Sequence, residues 1–314
     1  MVQITVSAAR RTPLASTLPT ILDLPSTATV ADLKTALAAK YPKLYVSRQK
    51  LSLKDDTSKK ALNDDATLQD ANVAEGTEII VKDLGPQISW RTVFLVEYDG
   101  QAGPLIIHPL LYHYPKIFYG GNIQHSTLQR YVYGMVIVHF VKRELETLFV
   151  HRFSHATMPA FNIFKNSAHY WFLSGVLLAW SIYSPWYGAL SPSVRNSAAG
   201  NPTFLSMSVL LWAIAELSNL KTHLTLRSLR PAGSRKLGIP KGYGFGLVSC
   251  PNYFFECMGW LIIAGMTGSW AAWLFLAVSG TQMALWALKK HKNYKKVFGP
   301  EYPRGRKAMI PFIL

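Results

Sequence analysis

The segment most informative about the fold is YVYGMVIVHFVKRELETLFVH, from Tyr131 to His151. It is apolar and long enough to cross a membrane, yet polar side chains recur along one helical stripe: His139, Lys142, Arg143 and Glu146. A charge at bilayer depth is costly unless it is paired or hydrated. Either the helix ends at Val141 and exposes the KRELE segment to water, or the stripe lines a reaction chamber inside a helical bundle.

The composition changes sharply along the chain. Its 314 residues are 49% hydrophobic and carry a formal net charge of +16. A mean hydropathy of only +0.13 requires soluble sequence beside the apolar segments. Residues 1–85 are polar and predict a cytosolic domain, whereas 86–314 are rich in long apolar runs and predict a transmembrane domain. The basic residues flank apolar runs, which favours anionic lipid or an anionic cofactor over nucleic acid as their partner.

The N-terminal segment resembles the ubiquitin-like β-grasp. Val2–Val6 and Thr20–Leu24 alternate like paired strands, and Thr29 with Asp32 forms a capping box that opens a helix. The predicted order is strand, strand, helix, strand, short helix at residues 66–73, and strand. We expect a docking or stabilising module rather than a catalytic one.

The remainder predicts a polytopic all-α membrane bundle of six, possibly seven, transmembrane helices. The predicted spans are 92–114, 130–150, 167–185, 203–219, 245–265 and 268–288, each near the length that a bilayer demands. Lys and Arg concentrate in alternate loops and in the tail, so the positive-inside rule places both termini in the cytosol.

A second polar stripe lies in ELSNLKTHLTLRSLR, where side chains recur every three or four residues: Glu216, Asn219, His223, Arg227 and Arg230. Two guanidinium groups near a cytosolic membrane surface suit phosphate oxygens. The alternative is a basic juxtamembrane helix that lies on anionic lipid.

A third motif is SCPNYFFE, from Ser249 to Glu256. Pro251 can begin a helix on which Asn252 and Glu256 share a face, with the Tyr253 phenol beside them. A structural hydrogen bond between helices is the alternative. The tail from His291 combines cations and aromatic residues, and we expect it to fold back onto the bundle. The chain has no glycine-rich dinucleotide fingerprint, P-loop or metal-binding motif, so any nucleotide site is of a non-Rossmann type.

These motifs together resemble the steroid 5α-reductase family of membrane reductases. The segments are SCPNYFFE, NLKTHLTLRSLR and the tail HKNYKKVF…YPRGRKAMIPFIL. The ubiquitin-like N-terminus, GPQISWRTVFLVEYDG and HFVKRELETLFVHRFS narrow the resemblance to the branch of very-long-chain trans-2-enoyl-CoA reductases of the endoplasmic reticulum. That branch implies NADPH-dependent reduction of the 2,3-trans double bond to a saturated acyl-CoA, the last reducing step of fatty acid elongation.

The resemblance also implies residue roles. Cofactor binding would fall to Asn219, His223, Arg227, Arg230, Asn252, Glu256, His291, Tyr294 and Arg306. The implied proton donor is Tyr253 with support from Lys142, and Glu97 matches the acid that holds the substrate. Phe140 replaces the tyrosine that polarises a steroid ketone, and His223 stands where steroid-reducing relatives carry an acid.

The chemistry requires donors for the negative charge that develops on the thioester oxygen. Lys142, Arg143 or His139 can serve, and the sequence does not separate them. Glu146 completes this catalytic group. Implied partners are the enoyl-CoA substrate, the bilayer and the other elongation enzymes: a condensing enzyme, a ketoreductase and a dehydratase. The alternatives are a sterol or polyprenol reductase of the same fold, or a non-catalytic membrane scaffold.

Overall fold

The computed structural model describes residues 1–10, 16–99, 103–152, 156–230 and 237–314. The chain divides into two compact units. The first comprises Met1–Trp90 and Ala156–Asn162, and the second comprises Arg91–His155 and Ile163–Leu314.

The first unit is built on a four-stranded sheet crossed by one helix. Its elements are β1 (Val2–Ala8), β2 (Thr20–Leu24), α1 (Val30–Lys40), β3 (Gln49–Leu53) and β4 (Glu78–Asp83). The strand order is β2-β1-β4-β3, with β1 and β4 parallel and the other pairs antiparallel. A short pair follows, β5 (Gln87–Ser89) with β6 (Thr157–Pro159). This mixed sheet is the β-grasp arrangement that the sequence predicts.

The helix of this unit starts where the sequence predicts. The Asp32 carboxylate accepts a hydrogen bond from the Thr29 backbone N–H at 2.8 Å, and Thr29 Oγ1 accepts from the Asp32 N–H at 3.2 Å. The capping box is therefore confirmed. The apolar face of α1, including Leu33 and Leu37, is fully buried against the sheet residues Ile4, Val6 and Ile79.

The short helix predicted at residues 66–73 is wrong. The segment forms turns instead. The Thr67 hydroxyl accepts from the Asp70 N–H at 3.0 Å, and Asn72 takes a positive φ of 55°. A left-handed residue ends a right-handed turn, so a helix cannot extend through it.

The second unit is almost entirely helical. In chain order its helices are α2 (Trp90–Asp99), α3 (Pro104–His113), α4 (Pro115–Tyr119), α5 (Thr127–Leu145), α6 (Asn162–Ala168), α7 (Leu178–Ile182), α8 (Pro192–Arg195), α9 (Pro202–Ser228), α10 (Pro251–Thr267) and α11 (Trp270–Phe298). Two π-helical segments interrupt them, Glu146–Val150 after α5 and His169–Leu177 between α6 and α7.

Two helices within the described ranges are long and apolar enough to cross a membrane, Pro202–Ser228 and Trp270–Glu301. The predicted span 92–114 is distributed over α2 and α3, and the predicted span 245–265 begins as a helix only at Pro251. Pro251 occupies the first turn of α10, where its missing N–H needs no partner. The count of six or seven spans remains a prediction.

Close contact between α9 and α10 depends on a glycine. A Cβ added at Gly259 of α10 would lie 3.1 Å from Glu216 Oε1 of α9 and 3.8 Å from the Trp212 indole. The absence of a side chain at Gly259 therefore lets α10 approach a buried carboxylate. This approach brings the polar faces of the two helices together.

Candidate active site

The polar stripe of α5 is buried against α9 and α10. The helix runs through Leu145 and continues as a π-helical turn from Glu146 to Val150, so the alternative in which it ends at Val141 is wrong. His139 and Glu146 are only 2% and 1% exposed. π-helical turns occur frequently at functional sites. The turn from Glu146 to Val150 follows the polar stripe directly, which supports a functional site there.

His139 lies between two carboxylates. Its Nδ1 is 2.8 Å from Glu216 Oε1, and its Nε2 is 3.3 Å from Glu256 Oε1. A neutral imidazole has one N–H donor, so both contacts are hydrogen bonds only when His139 is an imidazolium. The ring thereby joins α5 to α9 and α10 at once.

Lys142 extends the same network. Its Nζ donates to Asn219 Oδ1 at 2.6 Å, and it lies 2.9 Å from Glu216 Oε2 and 3.5 Å from Glu146 Oε1. The Asn219 amide in turn donates to the Asn252 backbone oxygen at 2.8 Å and to Glu256 Oε2 at 3.1 Å. Residues predicted from three separate motifs thus meet in one hydrogen-bonded cluster.

A second group of polar side chains surrounds Glu146. Arg143 Nη1 donates to Glu146 Oε2 at 2.6 Å, and His223 Nδ1 lies 3.1 Å from the same oxygen. His151 Nε2 is 3.5 Å from His223 Nδ1.

The same group has the donor types of a metal site. One atom each from Glu146, His151 and His223 lies within 4.8 Å of the others. However, Arg143 Nη1 already supplies positive charge 2.6 Å from the Glu146 carboxylate. An ion pair therefore accounts for this carboxylate, and the absence of a metal site stays a prediction.

Glu97 lies beside an aromatic wall. Its side chain is 1% exposed, and its Oε1 accepts no hydrogen bond from the described residues. The neighbouring Tyr98 hydroxyl accepts from Arg143 Nη2 at 3.3 Å. The Tyr98 ring packs edge-on against Tyr170 at 5.2 Å and lies 6.0 Å from Phe140. Position 140 thus contributes a buried apolar ring to this wall.

Tyr253 lies apart from the Lys142 cluster. It packs against an apolar cluster formed by Cys250, Met283, Ala287, Ala308 and Met309. The cation over its ring is Lys290 of α11, whose Nζ is 5.1 Å from the ring centroid. The structure therefore joins Asn252 and Glu256 to the α5 stripe but places Tyr253 on the side of α10 that faces α11.

The tail folds back onto the start of α10, as predicted. The Ser249 and Cys250 N–H groups donate to the Lys307 and Ala308 carbonyls at 2.8 and 3.0 Å. Ser249 Oγ lies 2.6 Å from both His291 Nδ1 and the Tyr302 hydroxyl. These bonds fix the position of the tail relative to α11.

Arg306 is the tail residue with unused hydrogen-bonding capacity. It is 5% exposed, and its Nε and Nη1 find no acceptor among the described residues. Its guanidinium carbon lies 5.1 Å from the Tyr302 ring centroid, and Tyr302 stacks on Tyr294 at 5.6 Å. A buried guanidinium with free donors is suited to an anionic group.

The two arginines at the end of α9 have different surroundings. Arg230 Nη1 donates to the Arg152 carbonyl at 3.0 Å, and Arg230 lines a cleft together with Tyr294 and Gly238. Arg227 is exposed. The α9 stripe is thus buried from Glu216 to His223 and reaches the surface only at its C-terminal turn, unlike a helix that lies flat on lipid.

Three residues that hold this arrangement were not predicted as site residues. The sequence pattern places Glu216 in the α9 stripe but predicts no role for it. His151 ends the opening stretch and follows Glu146 by one π-helical turn, which a 3.6-residue period does not anticipate. Lys290 stands at the end of an apolar helix, where the sequence pattern suggests a lipid-facing cation.

Comparisons with known proteins agree with this description. Residues 156–314 match the family described as 3-oxo-5-alpha-steroid 4-dehydrogenase, and residues 16–83 match the ubiquitin-like domain family of TECR. A Schizosaccharomyces pombe protein named as an enoyl reductase is 48% identical over 95% of both chains. The very-long-chain enoyl-CoA reductase of Dictyostelium discoideum is 38% identical, covering 92% of this chain and 93% of its own. The human trans-2,3-enoyl-CoA reductase-like protein is 33% identical, covering 94% and 80%.

Proposed function

Because the chain belongs to the very-long-chain enoyl-CoA reductases of the steroid 5α-reductase family, we propose that it reduces the 2,3-trans double bond of a very-long-chain enoyl-CoA with NADPH. The observation that carries the proposal is the convergence of Lys142, Asn219 and Glu256 from three helices in one buried cluster. An acid and a cation are costly in an apolar helical unit, so their burial is best explained by a site.

The residues present fit an anionic dinucleotide. Arg306 has buried donors that lack acceptors among the described residues, and Arg230 lines a cleft beside Tyr294. We assign phosphate contacts to Arg227, Arg230 and Arg306. The remaining cofactor contacts fall to Asn219, His223, Asn252, Glu256, His291 and Tyr294. When bound, NADPH supplies the hydride for the alkene.

The polar stripe supplies hydrogen-bond donors for the negative charge that develops on the substrate. As the alkene accepts the hydride at Cβ, its π electrons move to the thioester oxygen, and fixed donors must stabilise the resulting enolate. The His139 side chain is only 3% exposed, compared with 14% for Lys142 and 13% for Arg143. Lys142 and Arg143 are therefore the more accessible donors, and Glu97 positions the substrate.

Tyr253 completes the reaction by giving its phenolic proton to Cα. The Tyr253 oxygen is then a phenolate, which takes a proton from water. In sum, enoyl-CoA, NADPH and one proton become acyl-CoA and NADP⁺. The CoA head lies at the cytosolic face, and the acyl tail lies among apolar helices.

We further propose that the helical unit spans the membrane of the endoplasmic reticulum several times, with both termini in the cytosol. The two apolar helices and the cations at the ends of α9 and α11 support this placement. There the enzyme would act beside the condensing enzyme, ketoreductase and dehydratase of fatty acid elongation. Cross-linking in intact microsomes tests these contacts.

The direct test is NADPH oxidation by the detergent-solubilised protein supplied with a long-chain trans-2-enoyl-CoA. We expect saturated acyl-CoA as the product, identified by mass spectrometry. If the protein instead turned over a sterol or polyprenol, the proposed substrate class would be wrong, whereas the proposal that it is a reductase would stand. A protein that does not bind NADPH at all would contradict the proposal and favour a scaffold.

A further inference from the structure

Tyr253 lies apart from Lys142, the cation that the family resemblance pairs with it. On an α-helix, successive residues are rotated by about 100°, so Tyr253 does not share the face of Asn252 and Glu256. The Asn219 amide of α9 donates to the Asn252 backbone oxygen and to the Glu256 carboxylate. The Tyr253 ring instead lies 6.3 Å from the Trp286 ring of α11.

Helical spacing brings one cation to the same place. Met283, Ala287 and Lys290 follow each other at four and three residues on α11, and they therefore share a stripe. Met283 and Ala287 are buried in the cluster against which Tyr253 packs. Lys290 is the next residue of this stripe, and its Nζ lies 5.1 Å from the Tyr253 ring centroid.

Lys142 already contacts side chains of α9. Its ammonium contacts Glu216 at 2.9 Å and Asn219 at 2.6 Å, with Glu146 at 3.5 Å. Its charge is thus balanced by carboxylates of the α5 network. The cation that contacts Tyr253 and is free of such carboxylate contacts in the described chain is Lys290.

We propose that Lys290, rather than Lys142, is the positioning residue that supports proton delivery by Tyr253. The inference rests on the proposed reductase function. When Tyr253 gives its proton to Cα, negative charge forms on the phenolic oxygen. The Lys290 ammonium holds that oxygen in place and stabilises the charge until water returns the proton.

The test uses Lys290→Gln, Lys290→Arg and Tyr253→Phe in the full-length protein, with Lys289→Gln as the matched control. Lys289 is exposed, as Lys290 is, and it lies one residue away on the same helix. The measurements are kcat and KM for the enoyl-CoA, the effect of D₂O on kcat, and the dissociation constant of NADPH from its fluorescence. The double variant Lys290→Gln/Tyr253→Phe shows whether the two residues act together.

We expect Lys290→Gln to lower kcat about 10- to 100-fold. This loss is at or below the roughly 10²- to 10⁴-fold that general acid catalysis contributes, because the variant weakens the acid without removing it. Lys290→Arg restores much of the rate, Lys289→Gln matches the wild type, and the NADPH dissociation constant changes by less than about threefold, well below one tenfold step of affinity. The D₂O effect on kcat increases in Lys290→Gln because proton delivery becomes slower. In the Tyr253→Phe background, loss of Lys290 has no further effect.

Three results would overturn the inference. Full turnover by Lys290→Gln would show that the lysine plays no part in the reaction. A large rise in the NADPH dissociation constant, with kcat restored at saturating cofactor, would make Lys290 a cofactor contact. Additive losses in the double variant would separate it from Tyr253. Since all of these require an active wild type, an inactive wild type would contradict the proposed function itself.

Discussion

Removal of one charge from the α5–α9–α10 network provides a quantitative test of the structure. Glu216→Gln keeps the shape of the side chain but places a neutral amide between His139 at 2.8 Å and Lys142 at 2.9 Å. Loss of one partner of a buried ion pair costs about 3 to 5 kcal/mol. We expect the lower end, about 3 kcal/mol, because Glu256 still lies 3.3 Å from His139 and Glu146 still lies 3.5 Å from Lys142.

A loss of this size is visible in the melting temperature. For a unit of this length each kcal/mol shifts the Tm by about 2 to 4 °C, so Glu216→Gln should melt about 6 to 12 °C below the wild type. The nine tryptophans permit detection by intrinsic fluorescence in detergent. Glu301→Gln, an exposed acid, is the control and should melt with the wild type. A Glu216→Gln protein that melts within about 2 °C of the wild type, below the shift expected for 1 kcal/mol, would refute the network as a source of stability.

Three further predictions concern other contacts. Gly259→Ala should destabilise the helical unit by about 1 to 3 kcal/mol, since the new methyl group meets Glu216 Oε1 at 3.1 Å, whereas Gly265→Ala on the same helix meets nothing within 4 Å and should melt no lower than the wild type. Arg306→Gln should weaken NADPH binding about tenfold or more, as loss of charge-assisted hydrogen bonds does, whereas the exposed Arg304→Gln should not; equal dissociation constants would contradict the assignment. The Arg48 guanidinium holds the pKa of Asp83 below its ordinary value, so the pair stabilises the β-grasp unit at neutral pH and this stabilisation is lost as the pH falls below about 4. Hydrogen exchange of β3 and β4 should therefore be faster in Asp83→Asn at pH 7, and the difference should vanish in acid; a constant difference would argue against the pair.

The sequence was sufficient where local rules determine structure. Thr29 and Asp32 predict the start of α1 because a capping box involves residues only three apart. The stripe from His139 to Glu146 was correctly placed on one helical face for the same reason. The family resemblance groups Asn219 with Glu256 as cofactor residues and places Lys142 with Tyr253. The contact of Lys142 with Asn219 is long-range and was not predicted.

The features that the sequence did not predict depend on packing between distant elements. Glu216 links α5 to α9 across 77 residues of sequence, through its bond to His139. The neighbours of Tyr253 depend on the rotation of α10 about its axis, which Gly259 and its contact with Glu216 help to fix. The family resemblance implies that Lys142 supports Tyr253, whereas α11 brings Lys290 to that ring.

The main proposal is that the helical unit catalyses the reduction of an enoyl thioester by NADPH and that Tyr253 protonates Cα. The most direct measurement is NADPH oxidation with a long-chain trans-2-enoyl-CoA, for the wild type and Tyr253→Phe in parallel, together with the melting temperature of each. We expect turnover by the wild type, and we expect Tyr253→Phe to fold normally but to lose at least about 100-fold in turnover. Equal turnover by both proteins would contradict Tyr253 as the acid, and the absence of turnover in a folded, NADPH-bound wild type would contradict the substrate.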